Sequence, residues 1–410
     1  MTSRRFRLAV APVRRRADAA PRPQLTVDAV VASERPTDPL HCLRPAALAE
    51  AAAAFVEAFP GDVLYAVKCN PEPRVLRALW AGGVRHFDCA SPAEVALVRS
   101  LFADAAIHYM HPVKARPAIR EAYGRHGVRD FSLDSAEELQ KILDETQGSG
   151  ELGLFIRLAL PKGSAVYDLS GKFGAEMADA VALLRAARPH ARTLGLCFHV
   201  GSQCLDPVAY ARAIALAGEV IKAAGVAIDV MDVGGGFAVS YPGVTPPPLG
   251  AYMAEIEAAV ERLDLPVMPR LWAEPGRALV AGGTSVVVQV QHRRGDQLFI
   301  NDGVYGSLSD AGVPAFKFPV RLIRDGRAVP VEEGAERGFV FFGPTCDSVD
   351  RMNGPFPLPD DVREGDWIEI GQLGAYGASL RTAFNGFDQA RLVEVADRPM
   401  LETPGLALVA

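Results

Sequence analysis

Nowhere in the 410 residues does an apolar stretch reach the roughly 18 that cross a membrane as a helix, so no spanning segment is expected. Cysteine is scarce. The 6 present (Cys42, Cys69, Cys89, Cys197, Cys204, Cys346) show neither the paired spacing of a zinc site nor the density of a disulfide scaffold. A cytoplasmic protein without a bound metal is therefore expected. Positive charge is not in excess either: 43 Lys+Arg against 49 Asp+Glu leave a formal net charge of -6, which gives no general field for nucleic acid or an anionic membrane. Internal repeats and low-complexity linkers are also missing.

What is present is a globular balance, 49% hydrophobic and 22% charged residues, in a chain longer than one core commonly fills. Two domains are expected. Arginine gathers at the start (Arg4, Arg5, Arg7, Arg14, Arg15, Arg16, Arg22) without an apolar core long enough for a signal peptide, so residues 1–24 read as a flexible tail, with organelle targeting the minor alternative.

Between residues 45 and 280 short apolar runs alternate with stretches of helical period, the pattern of parallel strands joined by crossover helices. The strand candidates are Val63 to Val67, Val84 to Cys89, Ala106 to Met110, Val128 to Leu133, Leu152 to Leu158, Leu194 to Val200, Val230 to Val233 and Arg270 to Ala273. Such a series closes most naturally into a (β/α)8 barrel of the α/β class, an open doubly wound sheet being the competing fold. From residue 281 to 410 the helical period fades, and runs such as Thr284 to His292, Gln297 to Ile300, Phe316 to Ile323, Phe339 to Phe342, Trp367 to Ile370 and Arg391 to Val395 predict a second, C-terminal all-β barrel domain. The β-branched stretch Leu25 to Val31, within residues 25–44, reads as an N-terminal strand joining that domain.

Lys68 ends an apolar strand in Tyr65-Ala66-Val67-Lys68-Cys69-Asn70. A lysine in partly apolar surroundings loses its proton more easily and becomes a nucleophile toward an aldehyde, although a strand-end lysine reaching water has the same look. Gly234-Gly235-Gly236 follows the seventh strand, where a backbone without Cβ atoms can surround an anion such as phosphate; a tight turn is the ordinary explanation. Loops after strands seven and eight of such barrels commonly bind phosphate, and the eighth ends in Glu274-Pro275-Gly276-Arg277. His199 and Ser202 end strand six on the rim predicted for Lys68, Asp88 and Glu274, and it is this convergence that points to catalysis.

With Asn301-Asp302-Gly303-Val304-Tyr305-Gly306-Ser307, Gly343-Pro344-Thr345-Cys346-Asp347-Ser348 and the final Phe384-Asn385-Gly386-Phe387, these segments resemble the pyridoxal-phosphate-dependent ornithine, diaminopimelate and arginine decarboxylases of fold type III, the ornithine decarboxylase branch above all. The resemblance implies an alanine-racemase-like barrel, pyridoxal 5'-phosphate as cofactor, a homodimer with active sites shared across its interface, and conversion of L-ornithine to putrescine and CO2. By position, Lys68 resembles the lysine that carries the cofactor, and Glu274 the carboxylate on its ring nitrogen. His199 would stack on the ring and Asp88 and Arg157 would flank it. Ser202, Gly234, Gly235, Gly236, Arg277 and Tyr376 would hold the phosphate. Cys346 and Asp347 would serve the partner's site, the thiol as proton donor and the carboxylate on the substrate's distal ammonium. Lys172 and Asp350 resemble a cross-subunit ion pair, while Phe384 and Tyr305 would line the substrate pocket.

The family also places a second acid near the distal amine. This chain is shorter there, and Asp310 is the nearest candidate. Lysine differs from ornithine by one methylene, so dual specificity is an alternative. Diaminopimelate decarboxylase shares several motifs but carries Glu after its cysteine. A catalytically silent regulatory homologue is the alternative of another class.

Overall fold

The computed structural model describes residues 25–161, 163, 165–166, 171–313, 315–330 and 336–404. The arginine-rich stretch expected to be a tail lies outside them. Following β1 (Leu40–Leu43), eight parallel strands close into a barrel: β2 (Asp62–Ala66), β3 (His86–Cys89), β4 (Ala106–Tyr109), β5 (Asp130–Leu133), β6 (Leu152–Arg157), β7 (Ala191–Cys197), β8 (Val230–Asp232) and β9 (Arg270–Ala273). The open doubly wound alternative is thereby set aside.

Alternation along each strand divides the residues between two environments. Leu64, Met110, Phe155, Cys197, Val230 and Trp272 form one buried cluster, while neighbours such as Tyr65, Phe87, Leu154 and Met231 belong to the separate core that the helices cover. Gly195 makes room for the Phe155 ring, which a Cβ there would strike. The crossover helices start where local chemistry satisfies their first N–H groups. Ser91 and Ser135 accept from the backbone N–H groups of Glu94 and Glu138, opening helices Pro92–Leu101 and Ala136–Glu145. Because every strand runs the same way, all eight C-terminal ends gather on one rim.

The second domain is a mostly antiparallel sheet. Its strands are β10 (Thr284–Arg294), β11 (Gln297–Ile300), β12 (Val320–Arg324), β13 (Arg327–Val329), β14 (Glu336–Phe342), β15 (Arg351–Pro359), β16 (Trp367–Ile370) and β17 (Arg391–Glu394). The ladder runs β13-β12-β16-β10-β11-β14-β15, with β1 between β10 and β17. The path curls on itself so that β12 comes up against β15, and inward residues of β10, β11, β12, β14, β15 and β16 share one core, the barrel-like arrangement expected. Along β10, Val286, Val288 and Val290 enter one core and Val287 another, so both faces of the sheet are covered.

Leu25 to Val31 is not a strand. It lies largely in helix Val27–Glu34, capped by the Thr26 side chain. Val27, Val30 and Val31 have helical spacing, and their burial against Ile323, Trp367 and Val395 outweighs the β preference of their branched side chains. The N-terminal strand is instead β1, antiparallel to β10 and parallel to β17. Arg44, just after it, is buried and donates to Ser285 and Glu369, fastening the entry to the barrel onto the sheet. Among the described residues, no helix is long and apolar enough to cross a membrane.

Candidate active site

The chain leaves β2 through a short turn, Val67–Cys69, and the Lys68 side chain stands at the rim, 43% exposed. Its Nζ donates to Oδ2 of Asp88 at 2.7 Å, and Asp88, on the inward face of β3, is only 2% exposed. Burial pushes the amine down, but Asp88 and then Glu274 outweigh it, so Lys68 is held above the usual lysine range. This corrects the expectation that apolar surroundings would free the amine: the cavity sets two acidic side chains near it, Asp88 foremost.

Lys68 opens into a cavity of about 460 Å³ that is also lined by Asp88, Arg157, His199, Ser202, Gly235, Gly236, Glu274, Arg277 and Tyr376. The residues predicted at separate strand ends thus converge. Gly234 lies just behind them, its N–H donating to Asp232 in the turn after β8. Gly235 and Gly236 leave space that side chains would fill: a Cβ on Gly235 would lie 2.6 Å from the Glu274 carbonyl oxygen, and one on Gly236 would strike the carbonyl of Gly201. Gly236 also has a φ of +107°, which favours glycine.

Beside this cradle the Arg277 side chain is 4% exposed, its guanidinium lying 5.2 Å from the centre of the Tyr376 ring. Nη1 donates to Tyr241 Oη at 2.9 Å and lies 2.9 Å from Asp310 Oδ2 as an ion pair, while Nε and Nη2 are buried without a hydrogen-bond partner. Two unfilled donors beside a glycine cradle fit an anion with several oxygens, such as phosphate. Asp310, expected to face the substrate, is engaged here instead. It is buried against Arg277 and does not line the cavity, because a desolvated guanidinium draws the available carboxylate. Tyr376 sits in the left-handed region with a φ of +63°, anchored by its N–H to the Cys69 carbonyl at 2.9 Å.

At the other end Glu274 and Asp232 form an acidic pair, 4% and 0% exposed, and Glu274 Oε1 and Asp232 Oδ2 lack hydrogen-bond partners. Burial pushes Asp232 up to about 6. Burial and then Asp232 raise Glu274 well above the carboxylate range. Such a carboxyl is poised to meet a cationic ring nitrogen, which would offset the penalty for its charge. His199 is driven well below its ordinary range by burial and then by Arg157, so the imidazole is neutral. Its Nδ1 accepts the Gly201 N–H at 2.9 Å, which leaves the proton on Nε2.

The remaining predicted residues assemble elsewhere. Tyr305 Oη donates to Asp347 Oδ2 at 2.5 Å and its ring lies 4.8 Å from that of Phe384, while Asn385 Oδ1 accepts the Cys346 N–H at 3.1 Å. The Tyr305 bond, then one from the Val349 N–H, holds Asp347 below the usual carboxylate range. None of Cys346, Asp347, Tyr305 or Phe384 lines the Lys68 cavity. The cysteine is exposed, as are Val349 close to it in the chain and Leu380, Phe384 and Phe387 in the segment whose Asn385 meets it. Asp350 does not offer a carboxylate to a second chain: it is 2% exposed and accepts from the N–H groups of Val304 and Thr345 and from Thr345 Oγ1. It orders the loop that presents Cys346. Lys172 lines the Lys68 cavity, its Nζ 4.9 Å from the Phe173 ring centre.

Four participants went unmarked in the sequence. Asp232 had a signal, since strand alternation places it on the inward face beside the glycine turn. Tyr241 and the pair His111 and Phe173, whose rings meet at 5.1 Å, had none, because loops carried from different barrel strands bring them in.

Two family models match: the pyridoxal binding domain of pyridoxal-dependent decarboxylases over residues 46–281, and their C-terminal sheet domain over 197–374. The lysine/ornithine decarboxylase of Selenomonas ruminantium is 32% identical over 82% of this chain and 84% of its own. The ornithine decarboxylase of Schizosaccharomyces pombe is 33% identical over 80% and 76%. The solved structure of lysine/ornithine decarboxylase from Vibrio vulnificus complexed with putrescine has a TM-score of 0.76 at 30% identity, covering 90% of this chain and 97% of that one. Pyridoxal phosphate is an aldehyde with a basic ring nitrogen and a phosphate, and the rim amine, the buried acid and the two spare arginine donors fit it in turn. Because the likeness runs through the sheet as well as the barrel, it is one of whole enzymes, and the chain belongs to the pyridoxal-phosphate-dependent decarboxylases of basic amino acids.

Proposed function

We propose that this enzyme converts L-ornithine to putrescine and CO2 in the cytoplasm, as a homodimer whose sites each join the barrel rim of one copy to Cys346 and Asp347 of the other. The observation that carries this reading is the separation of the predicted residues into an enclosed barrel cavity and an exposed corner of the sheet domain. A second copy would bring the two together, covering the apolar side chains of that corner.

In this reading Lys68 holds the cofactor's aldehyde carbon, and Asp88 steadies the amine. Glu274 faces the ring nitrogen, Arg157 flanks the ring, and neutral His199 lies against its face without adding charge. Ser202, the Gly234–Gly236 turn, Arg277 and Tyr376 hold the phosphate. Bound there, pyridoxal phosphate supplies a sink for the electron pair left on the α-carbon when CO2 departs. The Cys346 thiol then returns a proton to that carbon, which prevents misdirected protonation. Asp347, oriented by Tyr305, pairs with the distal ammonium, and Phe384 packs along the chain. Diaminopimelate is disfavoured because its distal carboxylate would face Asp347.

Lysine is a second substrate in this reading. With Asp310 engaged by Arg277, a single predicted acid remains for the distal amine. One extra methylene then changes discrimination by only about 1–3 kcal/mol. The joint presence of Lys68, Glu274, Arg277, Cys346 and Asp347 speaks against a silent regulatory homologue.

Carbon dioxide release from ornithine, lysine, arginine and meso-diaminopimelate, with the amines identified by mass, tests the substrate. Ornithine should lead, lysine follow, and diaminopimelate stay at background; preferred turnover of diaminopimelate or arginine would sink the assignment. Mixing inactive Lys68→Ala with Cys346→Ala protein tests the shared site. Activity should return, and its absence despite measured subunit exchange would exclude sharing.

A further inference from the structure

The loop following the Tyr305-Gly306-Ser307 motif belongs to the sheet domain, yet it reaches the anion end of the barrel cavity. Asp310 stands in its short helix, Ser309–Gly312, with its side chain 7% exposed. Its carboxylate meets Nη1 of Arg277 at 2.9 Å, and its own carbonyl accepts the Phe316 N–H at 2.8 Å. That bond folds the loop back so that the Phe316 ring centre lies 5.1 Å from the guanidinium carbon. One loop thus supplies both a counter-charge and an aromatic wall. Tyr241 Oη also takes Nη1, whereas Nε and Nη2 lack partners although the arginine lines the cavity.

We infer that Asp310 is a positioning residue for cofactor binding: by holding Nη1 of Arg277 from the sheet-domain side, it keeps Nε and Nη2 directed at the phosphate. The inference rests on the cofactor reading above and deepens it. The phosphate cup is consequently built by both domains. Asp310 does not line the cavity, and what it provides is an opposite charge at a fixed place beside Nη1. That charge would by itself oppose a phosphate, so positioning of Arg277 and direct repulsion make opposite predictions for the same substitution.

The test compares affinity of the cofactor-free full-length protein for pyridoxal phosphate and for pyridoxal, which lacks the phosphate, followed by protein fluorescence and by absorbance. Wild type should prefer the phosphorylated form. Asp310→Ala should weaken pyridoxal phosphate at least tenfold and leave pyridoxal within threefold. Asp310→Asn, which keeps the shape and removes the charge, should weaken pyridoxal phosphate as alanine does and leave pyridoxal within threefold. In an Arg277→Ala background, Asp310→Ala should add less than threefold. If Asp310→Ala does not fold, Asp310→Ser, too short to reach Nη1, takes its place. Tighter pyridoxal phosphate binding by Asp310→Ala would make the carboxylate a charge neutraliser and overturn the inference. Equal weakening for both ligands would reduce its role to general structure and overturn it as well. A wild type indifferent to the phosphate would instead refute the cofactor cup itself, which separates the two failures.

Discussion

Gly235→Ala is the sharpest perturbation the cavity allows, because the added methyl has nowhere to go. Its carbon would lie 2.6 Å from the carbonyl oxygen of Glu274 and 3.0 Å from His199 Nε2. Neither neighbour yields easily. The Glu274 N–H is bonded to the Gly234 carbonyl at 2.8 Å, and Tyr210 Oη donates to the Gly235 carbonyl at 2.9 Å, so both backbones are pinned. Overpacking of this kind costs about 1–3 kcal/mol. Relief requires the glycine loop to move off the phosphate, and a displacement of about 1 Å lowers turnover on the order of 100-fold. Urea unfolding of the cofactor-free protein, a pyridoxal phosphate titration and CO2 release measure the three effects. Gly250→Ala is the internal control: Gly250 is exposed within helix Leu249–Glu261 with nothing within 4 Å of its Cβ position, so alanine should stabilise by up to about 1 kcal/mol. Wild-type unfolding midpoint and cofactor affinity in Gly235→Ala would refute the packing account.

Three further outcomes follow from charges and hydrogen bonds. Asp88→Asn removes the leading influence that raises Lys68, so the amine should fall toward neutrality and become more reactive at a given pH; acetylation by acetic anhydride, read by mass spectrometry against exposed Lys222, should quicken, and an unchanged rate would contradict the pairing. Asp232 is raised from 3.8 to about 6 in the fold, so the unfolded chain ionises first as pH climbs and stability drops across that window, by at most about 3 kcal/mol. Asp232→Asn should abolish this part of the pH dependence, so identical stability curves from pH 4 to 6.5 would show the group is not desolvated as described. Asp350→Ala strips an acceptor from two backbone N–H groups and a hydroxyl and should cost about 2–4 kcal/mol; turnover should fall while pyridoxal phosphate absorbance persists, and unaltered turnover would detach this loop from catalysis.

The barrel was legible because its strands are short, apolar and bounded by helix starts such as Ser91 and Ser135. The convergence of Lys68, Asp88, His199 and Glu274 followed from strand ends sharing one rim. What failed had physical causes that a linear reading does not weigh. Residues 351–359 contain Gly354, Pro355, Pro357 and Pro359, which argue against a strand, yet β15 closes one end of the ladder, where missing N–H groups are tolerated. The valines of Leu25 to Val31 carry two periods, and the packing against Trp367 selected the helical one. Asp310 and Asp350 were assigned outward roles as acids near functional motifs, but each found a buried donor inside its own chain first. The raised state of Lys68 depends on Asp88 and Glu274, 20 and 206 positions away, and only closure of the barrel brings them near.

The strand β1 is held between β10 and β17, so a segment made before the barrel waits for one made after nearly all of the sheet. During synthesis the eight-stranded unit can close while Leu40–Leu43 still dangles from its entrance with one or both edges open. A ribosome that pauses ahead of Arg391 would therefore expose a sticky apolar ribbon at the other extremity of the nascent chain, and chaperone demand should peak there rather than while the barrel is being made.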